Sequence, residues 1–339
     1  MRERLINRTI DEKYVKDLVE KNGRFLFIFE KPLWDADYGD RTFTCQQTLN
    51  CQDIAWVRYE YREATPEDVL MDSFKYSINS GTENSIELAD ISKGMRRFWD
   101  SIRNDYGYDS IIVDITRMNI RMMSAIVSFL PEYPWKHVIF CYCEPEKYKK
   151  NYEKNSFELN NVCDGFTELP GLETVVDCSG ETYEWIVFLG FDGGRIGLLE
   201  READPKTGYE KPVVCIPPMR AEWHNYAVFA NLDFFVERRK AEKLKYVSAT
   251  NPFDVYNFLV KQKDEIRGTA RLLVSPLSTK VTALGTIMYI LVNPDDRTLT
   301  DNPRQTDNGS SDSGSCHYYD LTEFIATVKN ERYECSREE

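Results

Sequence analysis

The sequence predicts an α/β fold with mainly parallel sheets that are flanked by helices. Three observations lead to this prediction: short apolar runs resemble strands, most of them are apolar on successive residues, and segments of helical period lie between many of them. Strands that are apolar on both faces are typical of parallel sheets with helices on both sides. The alternation of such strands with helices favours an open α/β sheet.

Seven apolar runs are predicted to be strands, at residues 25–29, 111–115, 138–142, 185–190, 212–216, 246–248 and 272–274. Four segments are predicted to be helices, at residues 91–102, 121–130, 222–244 and 252–266. The alternating pattern of residues 56–61 predicts one more strand, and a composition rich in Gly, Ser and Asp predicts a loop at 301–315.

The strand and helix pattern occurs twice, so we expect two Rossmann-like halves. The first is placed at residues 1–160, with an insertion near 31–80 that contains the extra strand. The second is placed at 175–339, after a polar stretch that marks the boundary. A chain of 339 residues is long enough for two domains, each with its own core.

Charge, hydropathy and cysteine content limit the classes of protein that this sequence fits. With 43 basic and 56 acidic side chains the net charge is −13, which opposes a general surface for duplex nucleic acid. The first residues lack the apolar core of a signal peptide, and no run approaches the roughly 20 apolar residues that a membrane span needs. An odd number of scattered cysteines, nine, favours free thiols over a disulfide framework. We therefore expect a cytoplasmic protein that has no membrane segment.

The first candidate site is the loop of Ser278, Thr279 and Lys280, which follows the predicted strand 272–274 and precedes an apolar segment of helical period. Loops at the carboxyl ends of parallel strands line the crevice where α/β sheets bind ligands, and a helix start favours anions. The hydroxyls and the lysine suit phosphate or carboxylate oxygens. The alternative is a helix cap with an exposed lysine.

The second candidate loop follows the predicted strand 185–190. Glycines at a strand-to-helix turn let backbone N–H groups approach an oxyanion closely, although the spacing matches neither the dinucleotide fingerprint nor a P-loop. A tight turn with a packing role is the alternative. If both loops belong to one parallel sheet, they line one crevice. The candidate ligand-binding residues of this loop are Gly190, Asp192, Gly193, Gly194 and Arg195.

A possible second site comprises Asp114, Thr116 and Arg117, at the end of the predicted strand 111–115. A carboxylate at a strand end can bind Mg²⁺ or act as a base. The favoured alternative is that Asp114 or Thr116 caps the next helix. No second carboxylate has a spacing that completes a metal site, and no Cys or His pair matches Cys141-x-Cys143.

These patterns predict no metal and no cofactor. Of the three histidines, His137 opens a strand and is expected to be structural, and His224 is the candidate to face the crevice. The sequence contains no nucleophile elbow, no zinc-protease helix and no kinase set, so the catalytic residues are unknown.

The Ser278-Thr279-Lys280 loop resembles the ligand-edge motif of CARF-type and SAVED-type Rossmann-like domains, which sense nucleotide second messengers in prokaryotic antiviral defence. Thr279 and Lys280 match the Gly-Thr-Lys loop of those domains, and Ser278 stands where they usually have glycine. The resemblance covers the C-terminal half. It implies a ligand-sensing or regulatory component of a defence system that binds a nucleotide or a similar small anion, with a protein partner or as a homo-oligomer.

Two alternatives come from other classes. One is a metal-dependent enzyme acting on nucleotides or nucleic acid, with Asp114 as metal ligand or base. The other is a non-catalytic interaction subunit, in which exposed aromatic residues form the partner surface. The aromatic residues considered for that surface are Trp34, Tyr38, Trp223 and Tyr226.

Overall fold

The computed structural model describes residues 4–22, 24–31, 41, 43–60, 73–79, 81, 83–87, 91–148, 162–167, 169–172, 183–191, 193–203, 207–216, 223–238, 244–266, 271–304 and 310–338. It shows a mixed α/β protein with a large, mainly parallel sheet flanked by helices, which confirms the predicted class at that level. None of the helices within these ranges is long and apolar enough to cross a membrane.

The chain divides into two compact units. The first unit comprises Arg8–Glu146 and Asp312–Glu339, and the second comprises Met1–Asn7 and Lys147–Ser311. The C-terminal segment thus groups with the first unit, whereas the sequence places it in the second half. Strand pairing explains the return: Thr9 lies opposite Tyr319 in an antiparallel pair, and the Val138 N–H donates to Thr322 Oγ1 at 2.9 Å.

Eight strands form the large sheet: β1 (Thr9–Ile10), β2 (Leu26–Glu30), β3 (Ile54–Glu60), β4 (Ser73–Ile78), β5 (Asn84–Glu87), β6 (Ser110–Asp114), β7 (His137–Tyr148) and β15 (Ser310–Asp320). Their order is β1-β15-β7-β6-β2-β3-β4-β5. The central strands β3, β2, β6 and β7 are parallel, whereas β4, β5 and β1 join by antiparallel pairing. The strand predicted within the insertion is confirmed as β3.

The first unit contains the helices α1 (Glu12–Asn22), α2 (Thr44–Leu49), α3 (Ile91–Asp100), α4 (Ile120–Phe129) and α10 (Thr322–Glu338). Leu26 to Phe29 are all buried, as expected for a strand covered on both faces. Asn119 caps the start of helix α4, and its side chain accepts a hydrogen bond from the Arg121 N–H at 2.8 Å. Asparagine is one of the preferred residues at this cap position.

A second sheet lies in the second unit. Its strands are β9 (Tyr183–Leu189), β10 (Thr207–Ile216), β11 (Lys245–Ser248), β12 (Arg271–Pro276) and β13 (Arg297–Thr298). Their order is β11-β10-β9-β12-β13, and every neighbouring pair is parallel. A separate antiparallel pair joins β8 (Val162–Thr167) to β14 (Thr300–Arg304). The helices are α5 (Gly194–Ala203), α6 (Trp223–Ala230), α7 (Leu232–Arg238), α8 (Pro252–Glu265) and α9 (Lys280–Val292).

A buried carboxylate fixes the second sheet to its helices. Asp296 is fully buried, and its side chain accepts hydrogen bonds from Lys263 of α8 at 2.6 Å, from the Leu272 N–H of β12 at 2.8 Å and from the Tyr289 hydroxyl of α9 at 2.5 Å. A buried charge is stable when it is paired and hydrogen-bonded in this way. Strand β12 and helix α9, which flank the loop of Ser278, are therefore held together at the end that lies opposite this loop.

Two predicted elements differ in the structure. The predicted helix at 222–244 is interrupted, because Asn231 lies between α6 and α7 and its side chain donates back to the Ala227 and Gly190 carbonyls at 2.7 and 2.9 Å. The predicted loop at 301–315 is wrong at both ends, where β14 and β15 extend into it. Pairing with neighbouring strands satisfies the backbone there despite the polar composition.

Candidate functional site

The two candidate loops of the second unit meet at one edge of its sheet. Chain order in this sheet reverses between β9 and β12, and the two strands run parallel, so the loops that follow them lie side by side. Arg195 Nη1 donates to the Leu277 carbonyl at 3.1 Å and links one loop to the other. The structure therefore brings together the loops that the sequence placed in one crevice.

The glycines of the first loop allow close packing of backbone against backbone. A Cβ added to Gly190 would lie 2.5 Å from the Leu277 carbonyl oxygen, and one added to Gly193 would overlap the Ala230 carbonyl at the end of α6. Backbone carbonyl groups of the protein therefore occupy the space next to these two glycines. The packing role that the sequence left as an alternative is therefore present for Gly190 and Gly193.

The second loop supplies the cap of α9. Thr279 Oγ1 donates to the Ala249 carbonyl at 2.8 Å and accepts from the Thr282 N–H at 3.2 Å. Ser278 and Lys280 flank this cap and are half-buried. The Thr279 hydroxyl is thus engaged by the fold, and the side chains of Ser278 and Lys280 are the candidates for contact with a ligand.

The remaining residues of the predicted crevice are Gly194, Arg195 and Asp192. Gly194 begins α5, and Arg195 is half-buried in its first turn. Asp192 lies outside the described residues. The edge therefore combines the starts of two helices, of 10 and 13 residues, with the cationic side chains Arg195 and Lys280.

The predicted second site lies at the end of β6 in the first unit. Asp114 is 3% exposed, and its carboxylate accepts a hydrogen bond from the Thr116 N–H at 2.8 Å. Thr116 Oγ1 in turn accepts from the Cys143 N–H at 2.9 Å, and Arg117 is half-buried in the same loop. Because Asn119 caps α4, the expectation that Asp114 or Thr116 caps this helix is wrong.

Burial raises the pKa of the Asp114 carboxyl to about 7, although hydrogen bonds from Thr116 and the charge of Arg41 oppose the rise. A carboxyl with a pKa near neutrality can bind a proton or a cation under ordinary conditions. Such shifts are common at functional sites and also occur in structural networks, so the surrounding groups decide the role of the carboxyl.

The groups around Asp114 are thiols. Cys45 Sγ, a carboxylate oxygen of Asp114 and Cys141 Sγ all lie within 4.8 Å of one another, and all three residues are buried. Burial raises the pKa of the Cys141 thiol to about 12. The thiol of Cys316 interacts with those of Cys45 and Cys143. Within the described residues this is the group of three or more His, Cys, Asp or Glu side chains with metal-binding geometry.

Sequence reasoning identified Asp114 and Cys141 separately and missed their meeting with Cys45 and Cys316. Cys45 is on α2 in the insertion, and Cys316 is on β15, which returns to the first unit at the end of the chain. No spacing rule connects these positions. The one local signal was Cys141-x-Cys143, whose side chains point to the same face of a strand.

The histidines and aromatic residues have structural contacts. His137 stacks on Phe25 with ring centroids 5.7 Å apart, as expected for a structural residue. His224 lies against Tyr246 and is not placed in the crevice by any described contact. The rings of Trp223 and Tyr226 pack edge-on against Phe191, whereas Trp34 and Tyr38 lie outside the described residues.

Comparison with known proteins gives no match to a protein-family model, to a curated protein or to a solved structure. The geometry of the two sites therefore carries the functional argument.

Proposed function

We propose that the chain binds a small anion, with a nucleotide as the leading candidate, at the edge of the second sheet where β9 and β12 end. In this proposal both units are Rossmann-like, and the protein is a cytoplasmic ligand-sensing or regulatory component of a prokaryotic antiviral defence system. The observation that carries the proposal is the reversal of strand order between β9 and β12.

Strand order supports the location of the site. Numbered along the chain, the five strands have the spatial order 3-2-1-4-5, and all run parallel. Where the order reverses, the chain leaves the two central strands toward opposite faces of the sheet. Ligands of open α/β sheets bind in the crevice that this leaves at the carboxyl ends of the strands.

Charge supports an anionic ligand. Helices α5 and α9 both begin at this edge, and the backbone N–H groups and dipole of a helix start favour negative charge. Arg195 and Lys280 add two cationic side chains in a chain whose net charge is −13. A local concentration of positive groups in an acidic protein favours a specific anion over general binding to nucleic acid.

The resemblance of Thr279 and Lys280 to the loop of nucleotide-sensing domains supports the nucleotide and the role in defence. Since the Thr279 hydroxyl caps α9, Lys280 and the Ser278 hydroxyl are the proposed side-chain contacts. Serine in place of glycine keeps the ligand a little farther from the backbone, because its Cβ occupies the space next to the chain.

Thermal unfolding in the presence of nucleotides tests this function. We expect one member of a panel of mono-, di- and cyclic nucleotides, with and without Mg²⁺, to raise the melting temperature by mass action. Lys280→Ala should abolish the shift. Lys261→Ala, at an exposed lysine of α8 in the same unit, should preserve it. Absence of a shift with every nucleotide, or an equal loss in both variants, contradicts the proposal.

The metal-dependent enzyme proposed as an alternative would need a second carboxylate beside Asp114. Among the described residues, the groups that meet Asp114 with metal-binding geometry are the thiols of Cys45 and Cys141. This composition suits a thiophilic ion better than the Mg²⁺ of nucleotide chemistry, which prefers oxygen ligands. The geometry therefore favours the anion-binding function over this alternative.

An exposed apolar surface favours a second candidate function, that of an interaction subunit. Phe229 and Val236, on α6 and α7, are 66% and 67% exposed, and Leu232 between them is 45% exposed. Exposed apolar patches often mark contacts with other proteins. Light scattering tests this function: a dimer or larger assembly of the native chain that becomes monomeric in Phe229→Asp supports it, and a monomer at all concentrations contradicts self-association.

A further inference from the structure

We propose that Cys45, Asp114, Cys141 and Cys316 in the first unit bind one zinc ion through three thiolates and one carboxylate oxygen. This inference is independent of the proposed anion site, which lies in the other unit. It depends on how four chain segments converge at the carboxyl end of β6.

Four different elements supply the four groups. Cys45 lies in the first turn of α2, Asp114 ends β6, Cys141 lies on β7 and Cys316 lies on β15. Asp114 pairs directly with Cys141 across the parallel strands, so both side chains point to the same face of the sheet. Strand β15 is hydrogen-bonded to β7 on the other side, which places Cys316 next to the same row.

The distances among three of the four groups suit a tetrahedral ion. Ligand atoms of Cys45, Asp114 and Cys141 lie within 4.8 Å of one another. Sulfur atoms around one zinc stand roughly 3.8 Å apart, because Zn–S bonds are about 2.3 Å long and meet at tetrahedral angles. Cys316 lies outside this group of three, but its thiol interacts with that of Cys45, and we assign it the fourth position.

Simple packing accounts for this group less well than metal binding does. A buried cysteine can act as a small apolar side chain, and Cys51, which is 2% exposed in the same core, needs no other explanation. A carboxyl that is 3% exposed does not fit that role, because a buried carboxylate is costly unless it is paired or coordinates a metal. Thr116 donates one hydrogen bond to the Asp114 carboxyl, and packing leaves the meeting of this carboxyl with two thiols unexplained.

The hydroxyl of Tyr318 provides an independent observation. Tyr318 is 1% exposed, belongs to the same core cluster as Cys45 and Cys141, and has no hydrogen-bond partner for its hydroxyl among the described residues. Tyr318 and Cys316 are two apart on β15 and therefore share a face. A thiolate bound to a metal is a hydrogen-bond acceptor of the kind that an unsatisfied buried hydroxyl requires.

The donor set and the surroundings select the ion. Three sulfur ligands exclude the oxygen-preferring ions Mg²⁺ and Ca²⁺ and suit Zn²⁺. Zinc with three thiolates and one carboxylate has a net charge of −2, and the buried Arg41 next to the group offsets part of it. Arg41 Nη1 donates to the Cys143 carbonyl at 3.1 Å.

X-ray absorption at the zinc edge tests the proposal on the native chain. Protein purified without chelator, or reloaded with Zn²⁺ after chelator treatment, should hold one zinc per chain. Its shell should contain three sulfur atoms at about 2.3 Å and one oxygen at about 2.0 Å. Failure to retain zinc after reloading, or a shell of oxygen and nitrogen alone, overturns the proposal. This measurement needs no variant, so a failure to fold cannot confound it.

Two serine variants with a matched control assign the ligands. Mutation of a residue that only hydrogen-bonds to a metal ligand typically lowers metal affinity roughly 10- to 100-fold. Cys141→Ser and Cys316→Ser each remove a proposed ligand and should lower zinc affinity by more than that. Cys51→Ser, at a buried thiol outside the set, should keep the native affinity. Equal affinity in all three variants overturns the assignment. A Cys45–Cys141 disulfide in the freshly purified protein, detected by mass spectrometry, would also overturn it.

Discussion

The two sheets present different chemistry at the edge where their parallel strands end. In the second unit, the loops after β9 and β12 are half-buried and carry Arg195 and Lys280, and much of their backbone packs against itself. In the first unit, the end of β6 is closed and is lined by thiols around Asp114. The same topological position thus carries half-buried loops with cationic side chains in one unit and buried thiols around a carboxyl in the other.

The difference shows what strand order determines and what it does not. Parallel strands bring their following loops to one edge in both sheets, which locates a site. The length and packing of those loops decide whether water and a ligand can reach it, and the side chains decide the sign of the charge that it accepts. Variants that separate packing, protonation, capping and ligand contact test this comparison.

The largest expected effect concerns packing in the second unit. Gly193→Ala should lower the free energy of unfolding by about 3 kcal/mol or more, at the upper end of the usual cost of overpacking, because the new Cβ would overlap the Ala230 carbonyl. Urea unfolding measures the change. Gly197→Ala is the matched control. Apart from its chain neighbours and the backbone of its own helix, no atom lies within 4 Å of the added Cβ, and alanine stabilises an α-helix by up to about 1 kcal/mol relative to glycine. Equal stabilities would show that the loop does not pack as described.

The second effect concerns protonation in the first unit. The Asp114 carboxyl has a pKa of about 7 in the folded protein, against about 3.9 in an unfolded chain. Between pH 4 and 7 the metal-free native state therefore holds a proton that the unfolded state has released. The free energy of unfolding should therefore fall as pH rises through this window, on the order of 1 kcal/mol per pH unit. Below pH 4 this dependence on pH disappears, because both states hold the proton.

Asp114→Asn cannot ionise and should lack this dependence. Chelator-treated native protein and Asp114→Asn should therefore differ increasingly in unfolding free energy from pH 4 to 7, as measured by urea titration at each pH. A constant difference across the window would show that the carboxyl keeps its ordinary pKa and is less enclosed than the structure indicates.

The third effect separates capping from ligand binding. Thr279→Ala should cost about 1 kcal/mol, since it removes the cap of α9 and the hydrogen bond to Ala249. Thr279→Ser retains the hydroxyl and should stay within about 0.5 kcal/mol of the native protein. Thr327→Ala, at a half-buried threonine of α10 whose hydroxyl donates to the Glu323 carbonyl in an exposed hydrogen bond, should be near neutral. If Thr279→Ser loses as much stability as Thr279→Ala, the hydroxyl is not what stabilises the loop.

The sequence allowed the strands and the position of the Ser278 loop at the end of one of them to be predicted, because those features depend on local patterns. The apolar runs near Phe27 and Leu273 are buried strands, and the polar loop after the second of these runs lies at the edge of a parallel sheet. Asn251 followed by Pro252 caps α8 in the way that the residue types predict.

Features that depend on distant pairing could not be predicted in the same way. The return of residues 312–338 to the first unit is determined by β15 pairing with β1 and β7, and nothing local in the sequence indicates it. The approach of Cys316 to Cys45 and Cys143 follows from that return. The break at Asn231 depends on a hydrogen bond to Gly190, which is remote in sequence. In each case tertiary contacts override what composition favours.

The smallest expected effect tests how the anion site contacts its ligand. Ser278→Gly restores the residue typical of nucleotide-sensing loops and removes the Cβ next to the backbone. For the nucleotide that raises the melting temperature, we expect calorimetry to show affinity about fivefold tighter, which corresponds to roughly one added hydrogen bond from the backbone. Ser278→Ala keeps the Cβ and removes only the hydroxyl, so it should not tighten binding. If both variants weaken binding equally, the hydroxyl of Ser278 holds the ligand, and this loop recognises its anion through side chains where the resembling loops use backbone.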